Sequence, residues 1–218
     1  TELVEEFGAD ALRWALISDS APWNSKRFSK RIVGEAKSKV IDTLNNVHAF
    51  FTLYASIDGF KYDEYANRPE LAVQQRPLLD RWIISRLQSA TKVVKTGLDQ
   101  YDFTRPSQTL ERFIDDLSNW YVRRSRERFW GEGISNDKAA AYLTLHEVLT
   151  TLTRLMAPFI PFITEDIHSN LTGGSVHLAE FPTVNEAWLD TQLEQEMDQV
   201  LEVVELARQV RNSTAIKT

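Results

Sequence analysis

Apolar residues recur every three or four positions along most of this chain, and this period constrains the fold more than any other feature. In one stretch the repeat consists of Val33, Ala36, Val40, Leu44, Val47, Phe51 and Tyr54. Because an α-helix turns once every 3.6 residues, such a repeat places the apolar side chains on one face. The pattern therefore predicts an all-α protein.

Four long segments share this period, and turn residues separate them. They are residues 29–57, 77–99, 104–130 and 136–157. Gly131 and Gly133 stop the third segment, and Pro158 limits the fourth. Four long helices joined by modest loops predict an antiparallel helix bundle.

A kink is predicted just after the fourth helix. Pro158 and Pro161 bracket two apolar residues, and a short helix should follow them as far as Gly173. We expect both flanking helices to pack on one core through Phe159, Phe162 and Ile163, with Phe162 buried.

The two ends of the chain differ in character from its middle. Residues 1–20 predict a short amphipathic helix attached as an appendage, and residues 175–179 predict a short extended segment. An acidic helix should run from about 186 to 211. The bundle is therefore expected over residues 21–182, followed by the acidic helix region at 183–218.

Composition limits the class of protein. Of 218 residues, 43% are hydrophobic, which is enough to build a core. No apolar run approaches the roughly twenty residues of a membrane span, and no signal peptide pattern opens the sequence. The absence of Cys excludes disulfides and Cys-ligated metal sites. We expect a soluble, monomeric protein of the cytoplasm with no membrane partner.

Charge is distributed unevenly along the chain. The formal net charge is -6, yet residues 26–39 hold six basic residues and one acid, a local net charge of +5. Residues 183–207 hold seven acids and no Lys or Arg. A basic, RNA-binding surface is therefore compatible with an acidic protein, provided that the acidic helix lies elsewhere.

The most unusual stretch is residues 118–130, with the sequence SNWYVRRSRERFW. Arginines contact phosphates of any sequence, and exposed Trp and Tyr rings stack on unpaired bases, so this composition favours single-stranded RNA. A structural alternative stays open: the rings pack in the core, and the arginines are solvated or paired with acids.

Helical geometry divides this stretch into two faces. Arg124 and Arg128 continue the apolar stripe and are expected beside the core, with Arg124 paired to an acid. The other face is the predicted RNA-binding face, and it consists of Asn119, Arg123, Arg126 and Trp130. Trp120 lies next to the apolar stripe, so its role is left open between a stacking platform and a core residue.

The sequence predicts no catalytic, cofactor-binding or metal-binding constellation. His146-Glu147 resembles the start of a zinc-protease motif, but Thr150 stands where the second His is required. The four His residues are spaced unlike a metal site. We therefore expect a binding module.

Several motifs are similar to those of one family. They are residues 7–14 (FGADALRW), 118–130, 157–165 (APFIPFITE), 176–178 (VHL), 207–212 (ARQVRN) and 216–217 (IK). These motifs resemble the anticodon-binding region of class I isoleucyl-tRNA synthetases across nearly the whole chain. The resemblance is greatest to the branch found in archaea, eukaryotes and some bacteria. The valine and leucine enzymes share the same plan.

The resemblance implies a helix bundle of the class Ia anticodon-binding type within a larger enzyme. That enzyme would activate isoleucine with ATP and Mg, charge tRNA(Ile), and edit mischarged valine in a separate domain. Both catalytic signatures and the editing domain lie outside these residues, so the chain alone is expected to be non-catalytic and to need no cofactor. Residues 1–20 would be the tail of the catalytic region, and a C-terminal region would follow residue 218.

The resemblance also implies where tRNA(Ile) binds. Contacts should come from the helix over 29–57 and from the end of the helix over 104–130. The residues carried over from the first helix are Lys39, Asp42, Asn45 and Asn46, and Trp120 would be a stacking platform in the second. Two alternatives stay open: an acidic helical protein-interaction scaffold, and the equivalent domain of a valyl-tRNA synthetase.

Overall fold

The computed structural model describes residues 2–18, 20, 23–25 and 29–214, and these residues form helices with no β-strand among them. The predicted all-α class is confirmed. The α-helices are α1 (Glu2–Phe7), α2 (Ala9–Ser18), α3 (Lys30–Ala36), α4 (Thr43–Asp58), α5 (Tyr62–Tyr65), α6 (Leu78–Asp99), α7 (Thr104–Asp115), α8 (Arg123–Ser125), α9 (Asn136–Met156), α10 (Pro161–Thr172) and α11 (Thr191–Thr214).

The first predicted long helix is present but its winding is irregular. A π-helical segment, Lys37–Asp42, joins α3 to α4 without a break. The Ser29 hydroxyl accepts a hydrogen bond from the Ile32 amide and caps the N-terminus. Gly59 ends α4 in the left-handed region at φ 64°. The boundaries predicted from the sequence are therefore confirmed to within one residue.

Helices α6 and α7 approach each other closely at one point. Gly97 in α6 faces Pro106 in α7, and a Cβ atom on Gly97 would lie 2.4 Å from the Pro106 Cγ. Glycine is therefore required by this close approach, although it lowers helix propensity.

The third predicted helix changes its winding at the arginine cluster. A second π-helical segment, Asp116–Val122, follows α7. Each π turn holds about one residue more than an α turn, so the buried stripe moves one position along the chain. It continues from Tyr121 through Ser125 and Phe129, all fully or almost fully buried. Arg124 is exposed instead, and its predicted place beside the core was wrong.

The predicted kink after α9 is present, but one of its buried residues is not. Phe159 is 1% exposed, whereas Phe162 is 66% exposed. The buried positions of α10 include Thr164, which lies two residues, and therefore about 200°, around the helix from Phe162. The prediction that Phe162 is buried was wrong.

Helices α1 and α2 share the main core with the rest of the bundle. Trp14 is fully buried, and its ring meets Phe159 edge to face with 5.9 Å between centroids. The Asp10 carboxylate accepts the Ile163 amide at the start of α10, at 2.8 Å. These two helices therefore pack firmly against the bundle and are not a loosely attached appendage. The domain boundary at residue 20 stays a prediction.

The C-terminal part differs from the predicted elements in two places. Residues 176–178 form a 3-10 turn instead of an extended segment, and Glu165 accepts a hydrogen bond from the Val176 amide at 2.8 Å. Helix α11 begins at Thr191, after a separate 3-10 turn over Glu186–Trp188. Within the residues described, no helix combines the length and the apolar character needed to cross a membrane.

Candidate nucleic-acid interface

Both π-helical segments lie in the helices that the sequence singles out for RNA contacts. Such segments are rare and occur often at functional sites. The first carries Lys39 and Asp42, and the second carries Asn119 and Trp120. Lys39 and Asn119 line one groove of about 830 Å³. The fold therefore brings together two predicted contact residues that are far apart in the sequence.

The groove has a mixed charge. Its walls carry the acids Glu35, Glu111, Asp115 and Asp116 and the basic residues Lys39, Arg86 and Arg112. A phosphate would meet several carboxylates here. The edge of a base, which offers both donors and acceptors, matches this lining better than a phosphate does.

Trp120 has a partly buried ring that lies between the core and two arginines. Its ring is partly buried and packs against the main core. Two guanidinium groups also cover it: the Cζ of Arg124 lies 4.6 Å from the ring centroid, and the Cζ of Arg208 lies 5.7 Å from it. The ring is thus held by the core and bordered by two cations, a setting for cation–π contacts.

The other predicted residues of this stretch are at the surface. Arg123 and Arg126 are exposed, and Trp130 is 63% exposed. Within the part of the chain that the structure describes, neither arginine forms an ion pair, so both charges are available to phosphates. The Asn119 amide donates to Asp115 at 2.6 Å, which occupies one of its two donor hydrogens.

The four predicted residues of the first helix have unequal surroundings. Lys39, Asn45 and Asn46 are exposed. Asp42 accepts a hydrogen bond from Lys37 at 2.7 Å, an i,i+5 spacing that π winding places on one face. Asp42 is therefore paired with a neighbouring lysine. Lys39, Asn45 and Asn46 are better placed than Asp42 to contact RNA.

The described part of the basic segment 26–39 is largely neutralised. Lys30 pairs with Glu2 and Glu6, at 2.8 and 2.9 Å, and Arg31 pairs with Glu35. The first two residues of that segment, at positions 26 and 27, lie outside the described residues. In the described part, the charge of +5 counted from the sequence does not form an open basic surface.

Arg128 lies beside the core, as predicted, and it stabilises the fold. It donates to both oxygens of the fully buried Asp80, and Tyr121 donates to the same carboxylate at 2.6 Å. Burial opposes the charge on Arg128, but the hydrogen bonds and charge of Asp80 outweigh burial and raise the pKa of Arg128. Arg128 is therefore not available to RNA.

Sequence reasoning missed two residues of the candidate site. Arg124 was assigned to the core because a straight α-helix was assumed through the π segment. Arg208 was noted only as part of a motif, yet it is the first basic residue after the acidic stretch 183–207. That change of charge was the available signal, but it could not show that Arg208 reaches Trp120.

The described residues contain no group of three or more His, Cys, Asp or Glu side chains that could hold a metal ion. Two of the His side chains have structural partners. His146 stacks on Tyr62 with 4.2 Å between centroids, and His168 contacts Thr153 at 3.0 Å. The predicted contact residues are instead arginines, rings and amides, which are groups that contact nucleic acid.

Residues 80–218 match the family model for the anticodon-binding domain of tRNA ligases. The chain belongs to this family. The isoleucine–tRNA ligase of Bacillus thuringiensis (strain Al Hakam) is 57% identical over 216 residues, which is 99% of this chain and 20% of that protein. The isoleucine–tRNA ligase of Deinococcus radiodurans is 46% identical over 218 residues, again 99% of this chain and 20% of that protein.

This anticodon-binding domain thus spans about a fifth of the length of the curated relatives it matches. These relatives are bacterial and lend no support to the expected likeness to the archaeal and eukaryotic branch. Among solved structures, a LeuRS–tRNA–LeuAMS ternary complex from Agrobacterium radiobacter K84 matches with a TM-score of 0.59. The identity is 21%, over 87% of this chain and 21% of that one, so this likeness shows the fold alone.

Proposed function

We propose that this anticodon-binding domain binds the anticodon stem-loop of tRNA(Ile). The observation that carries the proposal is the surface formed by Arg123, Arg126 and Trp130, next to Trp120. It offers unpaired cations for phosphates and rings for unpaired bases. The names of the curated relatives support isoleucine over valine.

The same proposal assigns the chain to a larger enzyme. The whole protein would activate isoleucine with ATP and Mg, charge tRNA(Ile) and edit mischarged valine, with its catalytic and editing domains as intramolecular partners. Residues 1–20 would connect to the catalytic region, residues 21–182 would bind tRNA, and residues 183–218 would lead to a further region. We propose a cytoplasmic monomer, with no catalysis by these 218 residues alone.

Binding of transcribed tRNA to the 218-residue chain tests the proposal. Fluorescence anisotropy should show tighter binding of tRNA(Ile) than of tRNA(Val) at one stated salt concentration. The affinity should also fall steeply with salt, because phosphate contacts release counterions. A preference for tRNA(Val) would assign the domain to a valyl enzyme, and absence of salt-dependent binding would contradict an RNA function.

One observation favours a second candidate function. The outer part of α11 exposes Val200, Val203 and Leu206 at helical spacing, each by half or more, between acidic residues. An acidic helix with an exposed apolar stripe fits a protein-interaction scaffold. This alternative predicts that substitutions in α11 leave RNA binding unchanged and that the salt dependence of RNA binding is shallow.

A further inference from the structure

Trp120 is bordered by arginines from two different helices. Arg124 comes from the next turn of the same helix, whereas Arg208 comes from α11, eighty-eight residues after Trp120. Among the described residues, neither arginine forms an ion pair with a carboxylate. Two unpaired guanidinium groups beside one ring repel each other, so the local charge is suited to an added anion.

The two guanidinium groups lie at different distances from the ring centroid, and this difference matters for stacking. Flat groups in contact lie roughly 3.5–4 Å apart, so a flat group inserted between two others needs a gap of about 7 Å. The Arg124 guanidinium, at 4.6 Å, is close to direct contact with the ring. The Arg208 guanidinium, at 5.7 Å, would need to move only about 1–2 Å farther from the ring to admit a base.

Arg208 is also the arginine that can move at low cost. Residues 205–213 of α11 are exposed, whereas the start of the helix is anchored through the buried Glu194. Glu194 accepts hydrogen bonds from Ser85 at 2.5 Å and from Ser89 at 2.9 Å. A shift of the Arg208 side chain therefore disturbs no core contact.

An ion-pair network links the segment that carries Trp120 to the helix that carries Arg208. Arg86 in α6 contacts Asp116 at 2.9 Å and Asp198 at 3.5 Å. Asp116 lies one turn before Trp120, and Asp198 lies ten residues, or about 15 Å of helix, before Arg208. Arg86 thus holds the π-helical segment and α11 to one side of α6.

We propose that an unpaired nucleotide of a single-stranded RNA loop binds between the Trp120 ring and the Arg208 guanidinium. The base stacks on the ring on one face and on the guanidinium on the other, and its phosphate compensates the charges of Arg124 and Arg208. Arg208 is thereby a base-stacking residue supplied by the otherwise acidic last helix. This inference rests on the proposed function and names an additional contact within it.

Fluorine NMR of the 218-residue chain labelled with 5-fluorotryptophan tests this site. The Trp120→Phe variant assigns the Trp120 resonance among the six Trp residues. Titration with a tRNA(Ile) anticodon stem-loop should shift that resonance. Arg208→Ala should shift the same resonance in the free protein and weaken RNA binding about tenfold, as expected for loss of one stacked base.

Arg208→Lys is the matched control, because it keeps the charge and removes the planar group. It should retain the salt slope of the wild type but recover only part of the lost affinity. RNA binding by Arg208→Lys equal to that of the wild type, or an unmoved Trp120 resonance in a bound complex, would overturn the inference while leaving the proposed function intact. Failure of the wild-type chain to bind any stem-loop would overturn both. Unchanged melting curves identify the affinity loss as local.

Discussion

Arg128 donates hydrogen bonds to both carboxylate oxygens of Asp80, at 2.7 and 2.8 Å. Asp80 is fully buried, and Asp137 accepts a further hydrogen bond from Arg128 at 2.9 Å. The neighbouring Arg123, Arg124 and Arg126 are exposed. One basic stretch is thus divided between a residue that holds the fold and residues that face solvent.

The first prediction concerns stability. Arg128→Ala should lower the free energy of unfolding by about 3–5 kcal/mol, because it leaves the buried charge of Asp80 unpaired. Arg124→Ala is the control and should cost less than about 1 kcal/mol, because Arg124 is exposed. Urea denaturation followed by circular dichroism measures both values, and equal losses would contradict the division.

The second prediction concerns RNA affinity. The double variant Arg123→Ala plus Arg126→Ala should weaken binding of all tRNAs and reduce the salt slope by about one to two units, since each arginine contacts a phosphate. The melting temperature should barely change. Lys92→Ala plus Lys95→Ala removes the same charge from exposed positions of α6 and is the control. Unchanged affinity in the first variant would show that Arg123 and Arg126 do not contribute to RNA binding.

The third prediction separates two rings at the kink between α9 and α10. Phe159→Ala should cost about 3–5 kcal/mol, because Phe159 is buried against Trp14. Phe162→Ala should cost less than about 1 kcal/mol, because Phe162 is 66% exposed. Chemical denaturation of the two variants gives the comparison, and a larger loss for Phe162→Ala would show that α10 is rotated about its axis.

The fourth prediction concerns the close approach of α6 and α7. Gly97→Ala should destabilise the protein by about 1–3 kcal/mol, because the new Cβ would lie 2.4 Å from Pro106. Gly34→Ala is the control: its Cβ would meet Phe7 at an ordinary 3.4 Å, so it should be neutral or stabilising by up to about 1 kcal/mol. Thermal melting tests the pair, and the reverse order would contradict this packing.

The fifth prediction concerns pH. Burial lowers the pKa of His146 below 6.5, although the Leu171 carbonyl opposes this shift. The unfolded chain therefore binds a proton before the folded protein does, so this contribution to stability is full above pH 6.5 and is lost as pH falls through the lower, folded pKa. The free energy of unfolding should decrease from roughly pH 7 to 5.5.

His146→Phe keeps a ring against Tyr62 and should flatten this pH dependence. Some slope should remain, because burial and the charge of Arg154 also lower the pKa of His168. Urea midpoints measured across the range for both proteins give the two slopes. Identical slopes would show that His146 does not control stability in this window.

Local sequence patterns predicted the positions of the long helices well. They predicted poorly which residues of the 104–130 helix are buried and which are exposed. The ends of the helix that begins at Lys30 were predictable from the Ser29 cap and Gly59, because capping is a property of nearby residues. The exposed position of Arg124 was not predictable. A single wider turn moved the stripe by one residue, and the 3.6-residue period does not indicate where such a turn occurs.

The candidate site was predictable in composition and only partly in arrangement. The 118–130 stretch already indicated RNA through its arginines and rings. The structure added the groove that Lys39 and Asn119 share, and it showed that Asp42 is occupied by Lys37. These relations join helices or depend on π winding, so the residue types alone do not specify them.

The sequence by itself determined the all-α class, the positions of the main helices and the family, because periodicity, capping and motifs are written in neighbouring residues. Only the tertiary structure decided which arginine is committed to Asp80 and which one reaches Trp120 from α11. The physical reason is that burial and stacking depend on distances between helices. Those distances are set by packing across the whole core, where residues eighty-eight positions apart become neighbours.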